Sequence, residues 1–248
     1  MTHKTEKERI DRLLVQKGLV KSREKARAMI MAGQVLVNET RIDKAGTMVE
    51  KNTHIRIRGD ADRFVGRGGL KLDHAMEFFN IDIREKTAID VGASTGGFTD
   101  CLLQRGVGKV YAVDVGYGQI DLTIKGNPKV HIMDRTNIRN LAPERFSEII
   151  DLAVIDVSFI SLTKVLPAVV KILGVRGEII ALIKPQFEVG KGEVGKGGIV
   201  KDLPKIEKAV NGVLDFGTAA GLDIAGVVES PVKGAKGNRE FLVYMKKA

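Results

Sequence analysis

Residues 87–100 read TAIDVGASTGGFTD. Ala88, Ile89 and Val91 mark a short apolar strand, and glycines at 92, 96 and 97 remove side chains where the backbone turns sharply into the helix that begins GFTDCLLQ. A strand that passes through a glycine turn into a helix leaves backbone N–H groups open to a polar ligand. Beyond Thr87, strand-like and helix-like runs alternate: TAIDVGA, GFTDCLLQRG, KVYAVDV, VHIMD, DLAVIDVSF, SLTKVLPAVVKILG, GEIIALIKP. The alternation predicts βαβ units and an α/β fold, a parallel sheet covered on both faces. Such sheets bind ligands outside the carboxyl ends of their strands, so chemistry is sought at strand ends.

The turn itself is not the G-x-G-x-x-G of dinucleotide sites, because Ala93, Ser94 and Thr95 separate Gly92 from Gly96. NAD is therefore disfavoured. Twenty-two residues after Gly92, the next strand ends at Asp114, whose carboxylate can accept from a ribose diol, and the third strand ends at Asp134. Together they predict an adenosine-containing ligand touching Gly92, Ala93, Ser94, Thr95, Gly96, Gly97, Asp114 and Asp134. Tyr117, just past Asp114, is read either as a stacking ring or as packing. Asp156 closes another apolar strand, where a carboxylate is costly to bury unless it is paired or used.

Composition narrows the partners. The 248 residues suffice for one large domain or a medium one plus a small one, and 44% hydrophobic with 29% charged residues excludes a disordered or collagenous chain. A net charge of +9 favours phosphate backbones. Of that excess, +6 lies within residues 1–66 and +3 in the remainder. One cysteine, Cys101, and four histidines without ligand spacing exclude a disulfide framework and a zinc site. The opening MTHKTEKERIDRLL lacks the apolar core of a signal peptide, and no run of eighteen apolar residues occurs, so a cytoplasmic location without membrane spans is expected.

In the basic region, Ile10, Leu13 and Leu14 sit at helical spacing and Gly18 fits a helix end. Ser22 caps a second helix, SREKARAMIMAG, with Ala26, Met29 and Ile30 on one side. Strands QVLVN, RIDKAGTMV and THIRIRG follow, with a turn at Asn38 and Glu39. This order of RIDRLL, SREKARAMIMAGQVLVN and a closing THIRIRG resembles the S-four RNA-binding domain. The resemblance implies docking on structured RNA, with Arg9, Arg12, Lys21, Arg23, Lys25 and Arg27 toward phosphates, in keeping with a compact cluster of cations that contacts the backbone without reading bases. An exposed, merely solvated helix face is the alternative.

The second region resembles S-adenosylmethionine-dependent methyltransferases. Adding IDVSFISL, LIKPQFE and the closing GNREFLVYMKK makes the chain similar to the TlyA, or haemolysin A, family of S-four-plus-FtsJ-like rRNA 2′-O-methyltransferases. The resemblance implies a Rossmann-like methyltransferase sheet with S-adenosylmethionine as cofactor and ribosomal RNA or ribosomal subunits as partner. It divides the chain into an S-four-like domain over 1–60, a linker over 61–66 and a methyltransferase domain over 67–248. It also implies a catalytic tetrad of Lys71, Asp156, Lys184 and Glu240, with Lys184 as base, Asp156 beside it and Glu240 holding Lys71 or the ribose. All four are expected on the side of the sheet where the strands end, given an antiparallel last strand. The glycine- and lysine-rich stretch 186–202 is read as a loop over the site. Its Gly190-to-Lys196 pattern imitates a phosphate loop but continues into Gly197 where Ser or Thr would hold magnesium. A membrane-damaging haemolysin, a non-catalytic ribosome-binding factor and an amino-group methyltransferase are the rivals.

Overall fold

The computed structural model describes residues 6–38, 40–57, 63–190 and 192–247. The chain divides into two compact units, Met1–Asp62 and Arg63–Ala248. Phe64 is buried in the core of the second unit, and the Val65 N–H donates to Asp100 at 2.8 Å. Residues 63–66 of the expected linker are therefore packed against the second unit, while residues 61 and 62 lie outside the described residues, as do Glu39 of the expected turn and the end of THIRIRG.

The first unit runs β1 (Lys7–Arg9), α1 (Ile10–Gln16), α2 (Arg23–Met31), β2 (Val35–Val37), β3 (Thr40–Ile42), β4 (Met48–Glu50) and β5 (Ile55–Ile57). Apolar residues recurring on one side of each helix build its core: Ile10, Leu13 and Leu14 meet Ala26, Met29 and Ile30 over Val35 and Val37. Each of these buried aliphatic side chains contributes about 1.5–3 kcal/mol against exposure. Gly18 ends α1 at φ +68, with the Leu19 N–H closing onto the Leu14 carbonyl. The stretch RIDKAGTMV is two strands rather than one. Its first part, β3, pairs with β2, and its second, β4, pairs antiparallel with β1. Three-residue strands carry too little periodicity to be separated by pattern alone.

The second unit holds α3 (Gly68–Phe78), β6 (Thr87–Val91), α4 (Gly97–Gln104), β7 (Lys109–Val113), α5 (Leu122–Lys125), β8 (Val130–Met133), β9 (Ile150–Ile155), α6 (Leu166–Ile172), β10 (Leu173–Ile183), α7 (Pro185–Glu188), α8 (Leu203–Ala219), β11 (Leu222–Glu229) and β12 (Phe241–Lys247). Its seven strands lie in the order β11-β12-β10-β9-β6-β7-β8, with β12 antiparallel to both neighbours. Successive strand residues feed opposite faces. Ile89, Val91, Ala153, Ile155, Ile179 and Ala181 pack with α6 and α8, whereas Ala88, Leu152, Val154, Ile180 and Leu182 pack with α3 and α4. From β6 the chain goes outward through β7 and β8, then returns to β9 on the other side of β6. The strand order reverses there, and the crevice beyond the carboxyl ends of β6 and β9 is where a ligand site belongs.

Candidate active site

Two cavities open at those strand ends and share Gly92, Ser94, Asp156 and Ser158. The first, about 500 Å³, extends past Asp114 to Gln119, Asn137 and Arg139. The second, about 270 Å³, is walled by Gly66, Arg67, Gly68, Lys71, Lys184 and Gly234.

The glycine turn after β6 is forced by crowding. Gly92 has φ +87, and a Cβ there would lie 2.6 Å from the Asp156 carbonyl oxygen. Only glycine lets the exits of β6 and β9 touch. Ala93, Ser94, Thr95 and Gly97, expected to touch the cofactor, line the second cavity, and of these Ser94 also borders the first. Gly96 lines neither. At φ +93 its missing Cβ would fall 2.7 Å from the Ile124 side chain, so it makes room for α5 rather than for a ligand. Asp114 lines the first cavity while accepting the Ser94 N–H at 2.8 Å and the Gly116 N–H at 2.7 Å. Each oxygen keeps a lone pair for a hydroxyl. Asp134 lines neither cavity; its carboxylate accepts the Gly118 N–H at 3.0 Å and holds the loop after β7. Tyr117 is exposed, with the Arg135 guanidinium 4.3 Å above its ring.

The four tetrad residues come together as two ion pairs. Lys71, in the first turn of α3, donates from Nζ to Glu240 Oε2 at 2.6 Å, with both side chains buried and 169 positions apart in sequence. A Cβ on Gly234 would lie 1.8 Å from Glu240 Oε1, so glycine is what leaves space for that carboxylate. Lys184, at the end of β10, has Nζ 2.6 Å from Asp156 Oδ1 and donates to Ser158 Oγ at 2.8 Å. The contact to Asp156 is one of charge, since Oδ1 accepts no aligned hydrogen bond. Both lysines border the same 270 Å³ cavity.

Four further residues at or near the site escape a reading by motif. Ser158 lines both cavities and accepts a hydrogen bond from Lys184. Phe159, 91% exposed at φ 63, sets its ring 5.1 Å from Phe187. Glu188 bonds across to the loop after β9. Asp90 is fully buried in β6, with Thr99 Oγ1 donating to Oδ2 at 2.6 Å and Oδ1 unpartnered. A lone Asp inside the apolar run AIDV was the available signal for it. Burial, aided by the nearby Asp156 charge, pushes its pKa up to about 7. Between the ordinary value of 3.8 and that point, the folded protein keeps a proton the unfolded chain has released, so stability falls as pH rises through the window. Asp90→Asn stays neutral and should lose about 4 kcal/mol less stability than the parent between pH 4 and pH 8 in urea unfolding. Identical pH dependence in the two proteins would refute the buried proton.

In the first unit, Ser22 Oγ caps α2 by accepting the Lys25 N–H at 3.2 Å. Arg9 and Arg23 converge on Asp11, which has no exposed surface, with Arg9 Nε to Oδ1 at 3.0 Å and Arg23 to Oδ2 at 2.9 Å. These guanidiniums hold its carboxyl well below the usual range. Two of the six residues read as phosphate contacts thus already neutralise a buried charge between α1 and α2. Arg12, Lys21 and Arg27 are exposed, and Lys25 is half-buried. In the loop after α7, the Gly190 N–H is taken by Glu193 at 2.8 Å, and Lys191 lies outside the described residues. Among the described residues no helix is long and apolar enough to cross a membrane, and no group of His, Cys, Asp and Glu could hold a metal.

Residues 64–247 match the FtsJ-like methyltransferase model and residues 8–55 the S4 domain model. The chain belongs to the FtsJ-like methyltransferase family. It is 44% identical over 243 residues to YqxC of Bacillus subtilis, described as a candidate rRNA methyltransferase, covering 97% of this chain and 86% of the relative. It is 42% identical over 239 residues to the 16S/23S rRNA (cytidine-2′-O)-methyltransferase TlyA of Mycobacterium tuberculosis, covering 96% and 89%. A solved structure from Streptococcus thermophilus, described as a candidate hemolysin, matches with a TM-score of 0.78 at 42% identity over 98% of this chain and 90% of that one. The α/β fold with an N-terminal S4 domain expected from the sequence is thereby shown, as is membership of the methyltransferase family.

Proposed function

We propose that this protein transfers a methyl group from S-adenosylmethionine to a ribose 2′-hydroxyl of ribosomal RNA in the cytoplasm, with the N-terminal S4 unit docking on the RNA. One observation carries the reading. Two lysines, each with its own carboxylate, border a cavity that shares Gly92, Ser94, Asp156 and Ser158 with a larger cavity passing Asp114.

The larger cavity fits the cofactor. Its volume of about 500 Å³ lies within the range of small-molecule sites, the glycine turn brings backbone close, and Asp114 presents free lone pairs for a ribose diol. Ser94, Asp114, Asn137 and Val157 would hold it. S-adenosylmethionine supplies an electrophilic methyl group on a positively charged sulfur. A ribose hydroxyl is a weak nucleophile, so the protein must supply a base and hold the oxygen in line. Lys184 takes the hydroxyl proton. Asp156 and Ser158 fix the direction of its amine, and Asp156 balances the ammonium that forms. Lys71, held by Glu240, positions the sugar. In the S4 unit, Arg12, Lys21 and Arg27 offer phosphate contacts that release counterions and add no base reading.

The reading is tested by incubating the protein with labelled methyl donor, free ribosomal RNA and separated subunits, then mapping the product by blocked reverse transcription. Label on one ribose of one RNA is expected; no label in any fraction would refute the proposal. In parallel, Asp114→Ala should weaken donor binding about 10- to 100-fold by calorimetry, the worth of one or two hydrogen bonds to a charged group. Unchanged affinity would put the diol elsewhere.

A further inference from the structure

Glu188 joins two strand exits. Its Oε1 accepts the Leu162 N–H at 2.9 Å and its Oε2 accepts the Ser161 hydroxyl at 2.5 Å. It ends α7, the single turn that begins directly after Lys184 with Pro185 at its first position. Ser161 and Leu162 lie on the segment leaving β9, a few residues after Asp156 and Ser158. The two exits are thus tied at both ends: Lys184 to Ser158 at 2.8 Å nearer the strands, and Glu188 to Ser161 and Leu162 farther out, with the rings of Phe159 and Phe187 5.1 Å apart between them.

Packing alone does not call for a carboxylate here. Glu188 is half-buried, and among the described residues it makes no ion pair; burial pushes its pKa up, against the pull of its two hydrogen bonds. A neutral side chain would fill the place without a desolvation cost. What the carboxylate adds is a two-point hold with fixed geometry on the other segment.

We propose that Glu188 is a positioning residue for methyl transfer, acting through Ser158 on Lys184. This rests on the reading of Lys184 as the base. The lysine amine has three directions besides its own carbon. Ser158 Oγ accepts one N–H at 2.8 Å, and Asp156 Oδ1, 2.6 Å away, holds the amine by charge, so together they restrict where the lone pair that receives the substrate proton points. Letting the β9 segment drift removes Ser158 from that set, and misplacement by about 1 Å can cost on the order of 100-fold in rate.

The test is steady-state methyl transfer with full-length protein. Glu188→Ala should lower kcat about 10- to 100-fold with KM for RNA and donor within about 3-fold of the parent. Glu188→Gln, which keeps the size and one acceptor oxygen, and Ser161→Ala, which removes one of the two bonds, should fall between. The deciding measurement is the cycle with Ser158→Ala: because Glu188 acts through Ser158, the double variant should be no slower than the slower single. Losses that multiply, or an undiminished kcat in Glu188→Ala, overturn the assignment and leave a purely structural tie between the two segments. Should Glu188→Ala fail to fold, Glu188→Gln and Ser161→Ala decide by the same cycle. A parent protein that transfers no methyl group would instead refute the underlying reading.

Discussion

Lys184→Ala is expected to abolish methyl transfer, by at least about 100- to 1,000-fold, while donor binding measured by calorimetry and RNA binding measured by filter retention stay near parental values. The estimate follows from the usual worth of a placed general base, about 100- to 10,000-fold. Loss of folding should not confuse the result, because Asp156 is 21% exposed and water can solvate it once the lysine is gone. Lys184→Arg is the sharper control. A guanidinium keeps the charge beside Asp156 but stays protonated at any working pH, so it can balance charge and cannot take a proton. If Lys184→Arg retains turnover, Lys184 serves by charge and the base is another group. If Lys184→Ala itself turns over normally in a tritiated-methyl assay, the lysine has no part in the chemistry.

Glu240→Ala should act on stability and activity together. It leaves the ammonium of Lys71, whose side chain is 10% exposed, without its partner at 2.6 Å. Breaking a buried pair from one side typically costs about 3–5 kcal/mol. In a domain of this size that is a fall of roughly 10 °C in melting temperature. Replacing both members with apolar residues of similar volume, as in Lys71→Met with Glu240→Leu, should restore most of the melting temperature, since no charge is left stranded. It should not restore methyl transfer, because the cavity wall then has no group to hold the sugar. Recovery of activity in the double variant would reduce the pair to a structural brace. A melting temperature unchanged in Glu240→Ala would show that water reaches Lys71 freely.

Both predictions concern residues visible in short motifs, whose pairing was expected through the family resemblance and not from the motifs themselves. KLDH, IDVS, LIKP and NREF each mark a position. Nothing local says that the first meets the last across 169 residues, or that Ser158, two places after Asp156, accepts a hydrogen bond from the second lysine. The glycine turn shows the same division. Its sequence announced a close approach, yet Gly92 both yields to the Asp156 carbonyl and borders the two cavities, whereas Gly96 yields to Ile124 and lines neither. Asp134 and Asp114 end neighbouring strands and looked equivalent; one ties down a loop and the other borders a cavity. In the first unit, Arg9 and Arg23 counted toward a basic patch, and the buried Asp11 between them claims their charge.

What the sequence by itself determined was the alternation of elements, the basic N-terminal module and the family of the catalytic unit, because hydrophobic periodicity, glycine turns and helix caps act over a few residues and are written in consecutive letters. The tertiary structure alone decided that Asp11 claims two arginines of the basic module, which carboxylates are buried, and that two lysines share one cavity. Those outcomes depend on the distance and desolvation that arise when remote segments pack, and free energies of that kind have no local signature in the chain.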